Sequence, residues 1–314
     1  MNKISIVIPC YRSAKMLDDV VARIDTTLSA CNYELILVND NSPDNTYDVI
    51  KNLVRKNKKI IGIDLAKNFG QHGAIMAGLH QTTGDIVVCM DDDGQTPPEF
   101  VPDLVKAVTQ SNFDVAYARY SNKKHSAFRN WGSRVNDFMA KVLLGKPEEL
   151  FLSSFFVMKR YVVDIILQYQ NPYVYLPGLV LRTTNRICNV DVEHREREQG
   201  SSGYTFGKLI KLWLNGFTAF SVKPLRIADL LGCIVAGAGF LYLLYTLTIY
   251  MIHPSVVMGW NSLMAVLLIL GGSIMLMLGM IGEYLGRSYI SLNNAPQFVI
   301  RSIEKDAEEH DEKN

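Results

Sequence analysis

Two long stretches without a charged side chain limit most strongly what this chain can fold into. They are Leu230–Ile252, about 23 residues, and Val256–Gly282, about 27 residues. Each is long enough to cross a hydrocarbon layer of about 30 Å as a helix. Lys and Arg lie before the first stretch and after the second but not between them, which predicts that both ends of the pair face the cytoplasm. The alternative is a pair of buried helices in a soluble domain.

The part of the chain before these stretches alternates short β-branched runs with amphipathic segments. Such alternation is typical of a parallel sheet with helices on both faces. We therefore predict an α/β fold with a Rossmann-like, mostly parallel sheet. The predicted strands are Ile4–Cys10, Glu34–Asn39, Ile60–Leu65, Asp85–Met90, Asp114–Tyr120 and Ile187–Val192.

A cluster of carboxylates follows the fourth predicted strand directly, in the segment Asp91-Asp-Asp-Gly-Gln95. Carboxylates crowded at the carboxyl end of a parallel strand repel one another unless a cation lies among them. The oxygen ligands of Asp91, Asp93 and Gln95 suit Mg²⁺ or Mn²⁺. The alternative is an acidic loop that caps the next helix, with Pro97 and Pro98 in the first turn.

Polar loops also follow the first three predicted strands, so several strand ends should meet at one edge of the sheet. Convergent polar loops there predict a nucleotide pocket, in which Tyr11 stacks on a base and Asp40 accepts a hydrogen bond from it. The loop of Asp40 is also an ordinary helix start, with Ser42 as the cap. No G-x-G-x-x-G follows the first strand and no G-x-x-x-x-G-K-[ST] occurs, which disfavours a dinucleotide site and a P-loop. A net charge of +1 gives no argument for nucleic acid binding.

Basic side chains are concentrated beyond Tyr120, where they predict contact with a lipid phosphate or a membrane surface. The alternative is a solvated loop. These side chains are Lys123, Lys124, Arg129 and Arg134, which we group with Arg119 just before Tyr120. A second charged segment, His194–Tyr204, continues into Gly and Ser and predicts a loop over a site, where Arg197 would bind phosphate.

Aromatic and aliphatic side chains recur every three or four residues from Thr205 to Val222, with two lysines among them. This pattern predicts a helix in the membrane interface, and a buried core helix is the alternative. The predicted organisation is a catalytic domain at 1–204, an amphipathic helix at 205–226, two transmembrane helices at 227–284 and a cytoplasmic tail at 285–314. The charged part from Ser302 onward is expected to be disordered.

Three segments carry a resemblance to a known family. They are Asn68-Phe-Gly-Gln-His-Gly-Ala-Ile-Met-Ala-Gly78, Asp91-Asp-Asp-Gly-Gln-Thr-Pro-Pro-Glu99 and Arg197-Glu-Gln-Gly-Ser-Ser-Gly-Tyr204. With the paired apolar stretches, the sequence resembles family 2 glycosyltransferases of the GT-A fold that load a sugar onto a polyprenyl phosphate. It resembles the dolichyl-phosphate mannose synthase group, and especially bacterial undecaprenyl-phosphate transferases for 4-deoxy-4-formamido-L-arabinose and for glucose.

The resemblance implies roles for individual residues. Asp93 and Gln95 would hold the Mg²⁺ or Mn²⁺, and Asp91 would lie at the nucleotide-sugar. The residues implied at the nucleotide are Pro9, Tyr11, Asp40, Asn68 and Gly70. Those implied around the donor and acceptor phosphates are Arg119, Arg129, Ser133 and Arg197. The residues implied as catalytic are Asp91, Asp93, Arg129 and Arg197. The sequence departs from the family pattern at Asn39, Asp92, Gly94 and Gly203.

The implied reaction is the inverting transfer of a hexose-type sugar from a UDP-sugar to undecaprenyl phosphate at the bacterial inner membrane, with release of UDP. The resemblance also implies a tetramer. One alternative is a polysaccharide-extending family 2 transferase, which needs a carboxylate base that we do not find between Val135 and Tyr204. The other is a non-catalytic membrane adaptor, against which the retention of Asp91, Asp93 and Gln95 argues.

Overall fold

The chain divides into two compact units. The first is Met1–Thr205 with Asn294–Asn314, and the second is Phe206–Asn293. The computed structural model describes residues 2–92, 94, 96–120, 146–192, 223–252, 260–293 and 295–305.

A sheet of eight strands, counted over the described residues, forms the centre of the first unit. The strands are β1 (Ile4–Cys10), β2 (Tyr33–Asn39), β3 (Ile60–Leu65), β4 (Ile86–Cys89), β5 (Val115–Tyr120), β6 (Phe156–Lys159), β7 (Ile187–Val192) and β8 (Ile300–Glu304). Their order is β7-β5-β6-β4-β1-β2-β3-β8. The pairs β1–β2, β1–β4, β2–β3 and β5–β7 are parallel, whereas β6 and β8 pair with their neighbours in antiparallel fashion. The mostly parallel α/β sheet predicted from the sequence is confirmed.

Strands β1 to β4 are buried almost throughout, and every residue of β2 is buried. Strands covered on both faces need continuous apolar runs rather than alternation, as in the segment Leu35–Val38 of β2. The helices of this unit are α1 (Leu17–Thr27), α2 (Thr46–Lys56), α3 (Gly70–Leu79), α4 (Val101–Thr109), α5 (Arg160–Leu167) and α6 (Leu176–Thr183). The central sheet is therefore a rigid support for the loops at its edge.

Helix α3 is buried along nearly its whole length, from Gly73 to Leu79. Gly78 allows it to lie close to β1, because a Cβ atom at this position would be 2.4 Å from Cγ1 of Val7. A contact that short does not occur between real side chains, so a larger residue would push the helix away from the sheet. This close packing fixes the N-terminus of α3 relative to the strand ends.

The second unit contains two long apolar helices among its described residues, α7 (Lys223–Ile252) and α8 (Trp260–Leu292). One stretch within the described residues, Ile269–Leu292, is long and apolar enough to cross a membrane, and none of its most apolar window is buried. The predicted second span ended at Gly282, but α8 continues to Leu292. The predicted interfacial helix lies outside the described residues up to position 222, and positions 223–226 belong to the long α7.

The prediction of a disordered tail from Ser302 is wrong for its first residues, because Ser302–Glu304 belong to β8. Strand β8 pairs with β3, which would otherwise leave a row of backbone N–H and C=O groups unpaired at the edge of the sheet. Backbone pairing of this kind depends little on side-chain hydrophobicity, so a charged sequence can supply it. Positions 306–314 lie outside the described residues.

Candidate active site

The carboxyl ends of β1, β2, β3 and β4 lie along one edge of the sheet, because these strands are parallel neighbours. Cys10 pairs with Asn39, and Asn39 pairs with Asp64 on the next strand. The loops that follow these strand ends therefore meet at the same edge, as the sequence predicted.

Asp91 is the first residue of the acidic segment, and each of its carboxylate oxygens accepts a hydrogen bond from another side chain. The side-chain amide of Gln71 donates a hydrogen bond to Oδ1 (2.7 Å), and the hydroxyl of Ser154 donates one to Oδ2. Gln71 lies in the first turn of α3, and Ser154 lies just before β6. Two separate elements therefore fix the orientation of the Asp91 carboxylate at the edge of the sheet.

Asp92, one of the departures from the family pattern, links its loop to the loop after β1. Its Oδ2 accepts a hydrogen bond from the backbone N–H of Tyr11 (3.1 Å) and another from the hydroxyl of Ser13. Burial, and secondarily the negative charge of Asp92, raise the pKa of the nearby Cys10 thiol. That thiol stays protonated and does not act as a nucleophile.

Asp40 follows β2 directly, contacts the start of α3 and is almost completely buried. Its two oxygens accept hydrogen bonds from the backbone N–H groups of Phe69 (2.7 Å) and Gly70 (2.9 Å), and its backbone oxygen accepts one from the amide of Asn68 (3.2 Å). Burial raises the pKa of the Asp40 carboxyl, and the two N–H donors oppose that rise. The structure thus brings together three residues predicted at the nucleotide, Asp40, Asn68 and Gly70. A hydrogen bond from Asp40 to a base stays a prediction.

Tyr11 is 46% exposed, and the guanidinium of Arg12 lies 5.6 Å from the centre of its ring. A base that stacks on Tyr11 would share the ring with this cation or displace it. Pro9 lies within β1 opposite Val38, so a contact between Pro9 and a nucleotide would be made by the strand and not by the loop after it.

Ser42 does not cap a helix, although the alternative interpretation of this loop expected it to. Helix α2 begins only at Thr46, and the Ser42 hydroxyl instead accepts a hydrogen bond from the backbone N–H of Arg12 (2.8 Å).

Arg119 lies at the same edge of the sheet as Asp91 but two strands away. Cys89 of β4 and Tyr117 of β5 both pair with Phe156, and Asp91 and Arg119 each come two residues later. The two strands are separated by β6, which corresponds to about 10 Å at the usual strand spacing. The guanidinium of Arg119 forms two hydrogen bonds with the Asp191 carboxylate, from Nε to Oδ1 (2.6 Å) and from Nη2 to Oδ2 (2.9 Å). This pairing lowers the pKa of Asp191 and keeps Arg119 charged.

Comparison with known proteins gives two family matches. The model described as "Glycosyl transferase family 2" matches residues 5–167, and the one described as "GtrB C-terminal hairpin" matches residues 223–288. The first covers half of the chain, including β1 to β6 and the loops described above. The chain belongs to glycosyltransferase family 2.

Two relatives extend the likeness over nearly the whole chain. The undecaprenyl-phosphate 4-deoxy-4-formamido-L-arabinose transferase of Proteus mirabilis (strain HI4320) is 33% identical over 311 residues, which is 96% of this chain and 94% of that protein. The protein of the same name from Photorhabdus laumondii is 33% identical and covers 99% of this chain and 97% of its own length. Among solved structures, glucosyl-3-phosphoglycerate synthase from Mycobacterium tuberculosis with Mn²⁺ and UDP-glucose covers 68% of this chain and 77% of that chain, with 17% identity and a TM-score of 0.49.

Five of the site residues predicted for this family 2 transferase lie outside the described residues. They are Asp93, Gln95, Arg129, Ser133 and Arg197. Their roles therefore stay predictions, and so does a metal site. Among the residues that the structure does describe, no three His, Cys, Asp or Glu side chains are grouped to hold a metal ion.

The residue types predicted as ligands, Asp93 and Gln95, are those that suit a hard divalent cation, and their geometry lies outside the described residues. The Asp91 carboxylate lies at the edge of the sheet, and the positive φ of Gly94 (+69°) turns the backbone between the predicted ligands Asp93 and Gln95. Carboxylate and amide oxygens are the donors that such a cation prefers. In the described part of this loop, no side chain caps the turn Pro98–Phe100 or α4 that follows it, which weighs against a simple helix-capping role.

Sequence reasoning missed the side chains that support Asp91 and Asp92. Gln71 was part of a segment quoted for its family likeness but received no role of its own, and Ser13 and Ser154 carried no signal. Their contacts join residues 20, 63 and 79 positions apart. Residues so far apart in one sequence follow no repeating pattern from which their contact could be predicted.

Proposed function

We propose that this glycosyltransferase transfers a sugar from a UDP-sugar to undecaprenyl phosphate and releases UDP, with inversion at the anomeric carbon. The observation that carries the proposal is the fixed Asp91 carboxylate at the edge where Asp40, Asn68 and Gly70 meet. Relatives whose names specify an undecaprenyl-phosphate acceptor, and whose likeness extends over nearly the full chain, support this choice of acceptor.

The acceptor itself supplies the nucleophile. A phosphate monoester has a second pKa of about 6, so the lipid phosphate is largely a dianion near neutral pH. One of its oxygens forms the new bond to the anomeric carbon, while the bond from that carbon to the β-phosphate of UDP breaks and its electron pair leaves with UDP. No proton has to be removed from the nucleophile, so the reaction needs no general base of the kind that a sugar hydroxyl requires.

The chain's own residues position the two anions and offset their charges. We assign Asp91 to the hydroxyl groups of the nucleotide-sugar, with Gln71 and Ser154 preventing rotation of its carboxylate. Arg119 and Arg129 are assigned with Ser133 to the acceptor phosphate, and Arg197 to the leaving UDP. Mg²⁺ or Mn²⁺ bound by Asp93 and Gln95 would neutralise part of the charge on the UDP phosphates.

The acceptor lipid places the reaction at a membrane surface. We assign α7 and α8 to two spans of the bacterial inner membrane, with both termini and the catalytic domain on the cytoplasmic side and segment 205–226 at the interface. The match to a hairpin family at residues 223–288 and the apolar stretch Ile269–Leu292 support this arrangement. Assembly into a tetramer is part of the same proposal.

The identity of the sugar has two candidates. The sequence resemblance implies a hexose-type sugar, whereas the relatives' names specify a modified arabinose, a five-carbon sugar. A panel containing UDP-hexoses and UDP-4-deoxy-4-formamido-L-arabinose separates the two by which donor releases UDP in the presence of undecaprenyl phosphate.

The proposal is tested by measuring UDP release by the purified chain in detergent. We expect release that requires a matching UDP-sugar, undecaprenyl phosphate and a divalent cation, and that is lost in the Asp91→Asn and Asp93→Ala variants. Asp103→Asn is the control, because Asp103 is an exposed residue of α4 that pairs only with Lys106 in the described contacts.

Other outcomes would overturn the proposal in different ways. UDP release that requires a sugar hydroxyl instead of the lipid phosphate would indicate a polysaccharide-extending transferase. Absence of UDP binding in calorimetric titration with Mn²⁺ would indicate a non-catalytic adaptor. Near-normal turnover by Asp93→Ala would refute the metal assignment alone.

A further inference from the structure

The segment that follows α8 returns to the sheet and contacts the loops at the nucleotide end of the candidate site. Strand β8 pairs with β3, with Asp64 opposite Ser302 and Leu65 opposite Ile300. Arg301 is the extra residue between these two pairs, so the ladder is irregular at this position. An irregularity of this kind redirects a side chain, and it occurs next to the predicted nucleotide loops.

The guanidinium of Arg301 joins the ends of β2 and β3. Its Nη1 donates to Oδ2 of Asp64 (2.9 Å), and its Nη2 donates to the backbone oxygen of Ala66 (3.0 Å) and to Oδ1 of Asn41 (3.4 Å). On the other side of the same carboxylate, the amide of Asn39 donates to Oδ1 of Asp64 (2.7 Å). Asn39 and Asn41 are thus both tied to one network.

Asp40 lies between these two asparagines. Asn41 adopts a positive φ of +48°, in the left-handed region that asparagine occupies more readily than most non-glycine residues. Asp40 in turn accepts the hydrogen bonds from Phe69 and Gly70 at the start of α3. Contacts made by Arg301 therefore link β8 to the loop that contains Asp40 and, through Asp40, to the start of α3.

We propose that Arg301 is a positioning residue for donor binding, acting through the Asn39–Asn41 loop. The chain after the apolar hairpin is then part of the donor-binding machinery rather than a tail. This inference rests on the proposed function, because it takes UDP as the ligand of these loops.

The first test compares Arg301→Met with Arg301→Lys by calorimetric titration with UDP and Mn²⁺ and by initial-rate kinetics. In Arg301→Met we expect the dissociation constant for UDP and the KM for the UDP-sugar to rise about tenfold, at the lower end of what loss of a supporting residue costs. The KM for undecaprenyl phosphate should stay near the wild-type value. Arg301→Lys, which keeps the charge beside Asp64, should restore part of the affinity.

Tyr47→Phe is the matched control, because Tyr47 of α2 contacts the same strand, β8. The Tyr47 hydroxyl bonds Ser302 (2.6 Å) and donates to Glu304 (3.1 Å), so this variant weakens the attachment of β8 without touching the Asn39–Asn41 loop. We expect its UDP affinity to equal that of the wild type. An equal loss of affinity in Tyr47→Phe and Arg301→Met would overturn the proposal, because attachment of the strand would then be the cause.

A double variant separates positioning from stability. Removal of Arg301 leaves the buried carboxylate of Asp64 without its cation, and Arg301→Met with Asp64→Asn removes that charge as well. We expect the double variant to recover the thermal unfolding midpoint but not the affinity for UDP. Recovery of both, or unchanged affinity in Arg301→Met, would overturn the proposal. Failure of the wild type to bind UDP would instead overturn the proposed function and the inference with it.

Discussion

The carboxylate of Asp91 depends on two side chains from distant parts of the sequence. We predict that Ser154→Ala, which removes the donor to Oδ2, lowers kcat/KM for the UDP-sugar by about tenfold or more, since loss of a supporting hydrogen bond commonly costs 10–100-fold. The unfolding midpoint should change little because Ser154 is only partly buried. Initial-rate kinetics measure the effect.

The neighbouring residue Ser153 offers a matched control. In the described contacts, its hydroxyl accepts a hydrogen bond only from the backbone N–H of Phe155 (3.2 Å), within its own loop. Ser153→Ala should therefore retain activity near that of the wild type. Equal losses in the two variants would show that the loop, and not the orientation of Asp91, is what matters.

His72 predicts a pH dependence of stability. Burial lowers its pKa from 6.5 to about 4, and within the described residues its Nδ1 has no hydrogen-bond partner. Between these two pH values the unfolded chain binds a proton that the folded chain does not. The free energy of unfolding should therefore fall as the pH is lowered from 6.5 toward 4, by up to about 3 kcal/mol from this group.

The His72→Phe variant should lose this part of the dependence. Burial also lowers the pKa of His80. A smaller pH dependence of the free energy of unfolding should therefore remain in both the wild type and His72→Phe. Denaturant unfolding across this pH range is the measurement. Parallel curves for the wild type and His72→Phe would contradict the assignment.

For single residues, the sequence predicted which loops converge but not the side chains that support them. Asp40, Asn68 and Gly70 were predicted at one nucleotide pocket, and the structure brings the three into contact because the ends of parallel strands define where loops converge. Nucleotide binding by these residues stays a prediction. The role of Asp92 became visible only with its bonds to Tyr11 and Ser13. Such contacts depend on the relative positions of loops, which hydrophobic patterns do not encode.

Helix α3 carries the groups that hold Asp40 and Asp91, so its distance from the sheet matters at the scale of elements. We predict that Gly78→Ala destabilises the fold by ~1–3 kcal/mol, because the new methyl group would overlap Val7. Denaturant unfolding measures the loss. Adding Val7→Ala should give a double variant more stable than the sum of the two single effects predicts, and strict additivity would contradict the packing argument.

Most strands were predicted from the sequence because they are buried runs bounded by polar loops. Ile4–Cys10, Ile60–Leu65 and Ile187–Val192 begin and end where predicted. Glu34–Asn39 and Asp114–Tyr120 differ by one residue at one end, and Asp85–Met90 by one residue at each end. Strands β6 and β8 were missed. The first is four residues long inside a stretch of ambiguous pattern, and the second is partly charged and forms because the edge of β3 needs a partner.

For the whole molecule, we predict that the two apolar helices form a hairpin with both termini in the cytoplasm. A cysteine introduced at position 255, between the two apolar helices, should react with a membrane-impermeant maleimide in intact cells. One introduced in place of Asn314 should react only after permeabilisation, because the distribution of Lys and Arg predicts cytoplasmic termini. Equal labelling of the two positions in intact cells would contradict the hairpin arrangement.

We propose that the chain transfers a sugar, and not a sugar phosphate, to a lipid phosphate. The mass of the lipid product formed from undecaprenyl phosphate and the matching UDP-sugar distinguishes the two reactions. We expect a lipid heavier by one glycosyl residue with a single phosphorus atom, together with released UDP. A product with two phosphorus atoms and released UMP, or a lipid of unchanged mass, would contradict it.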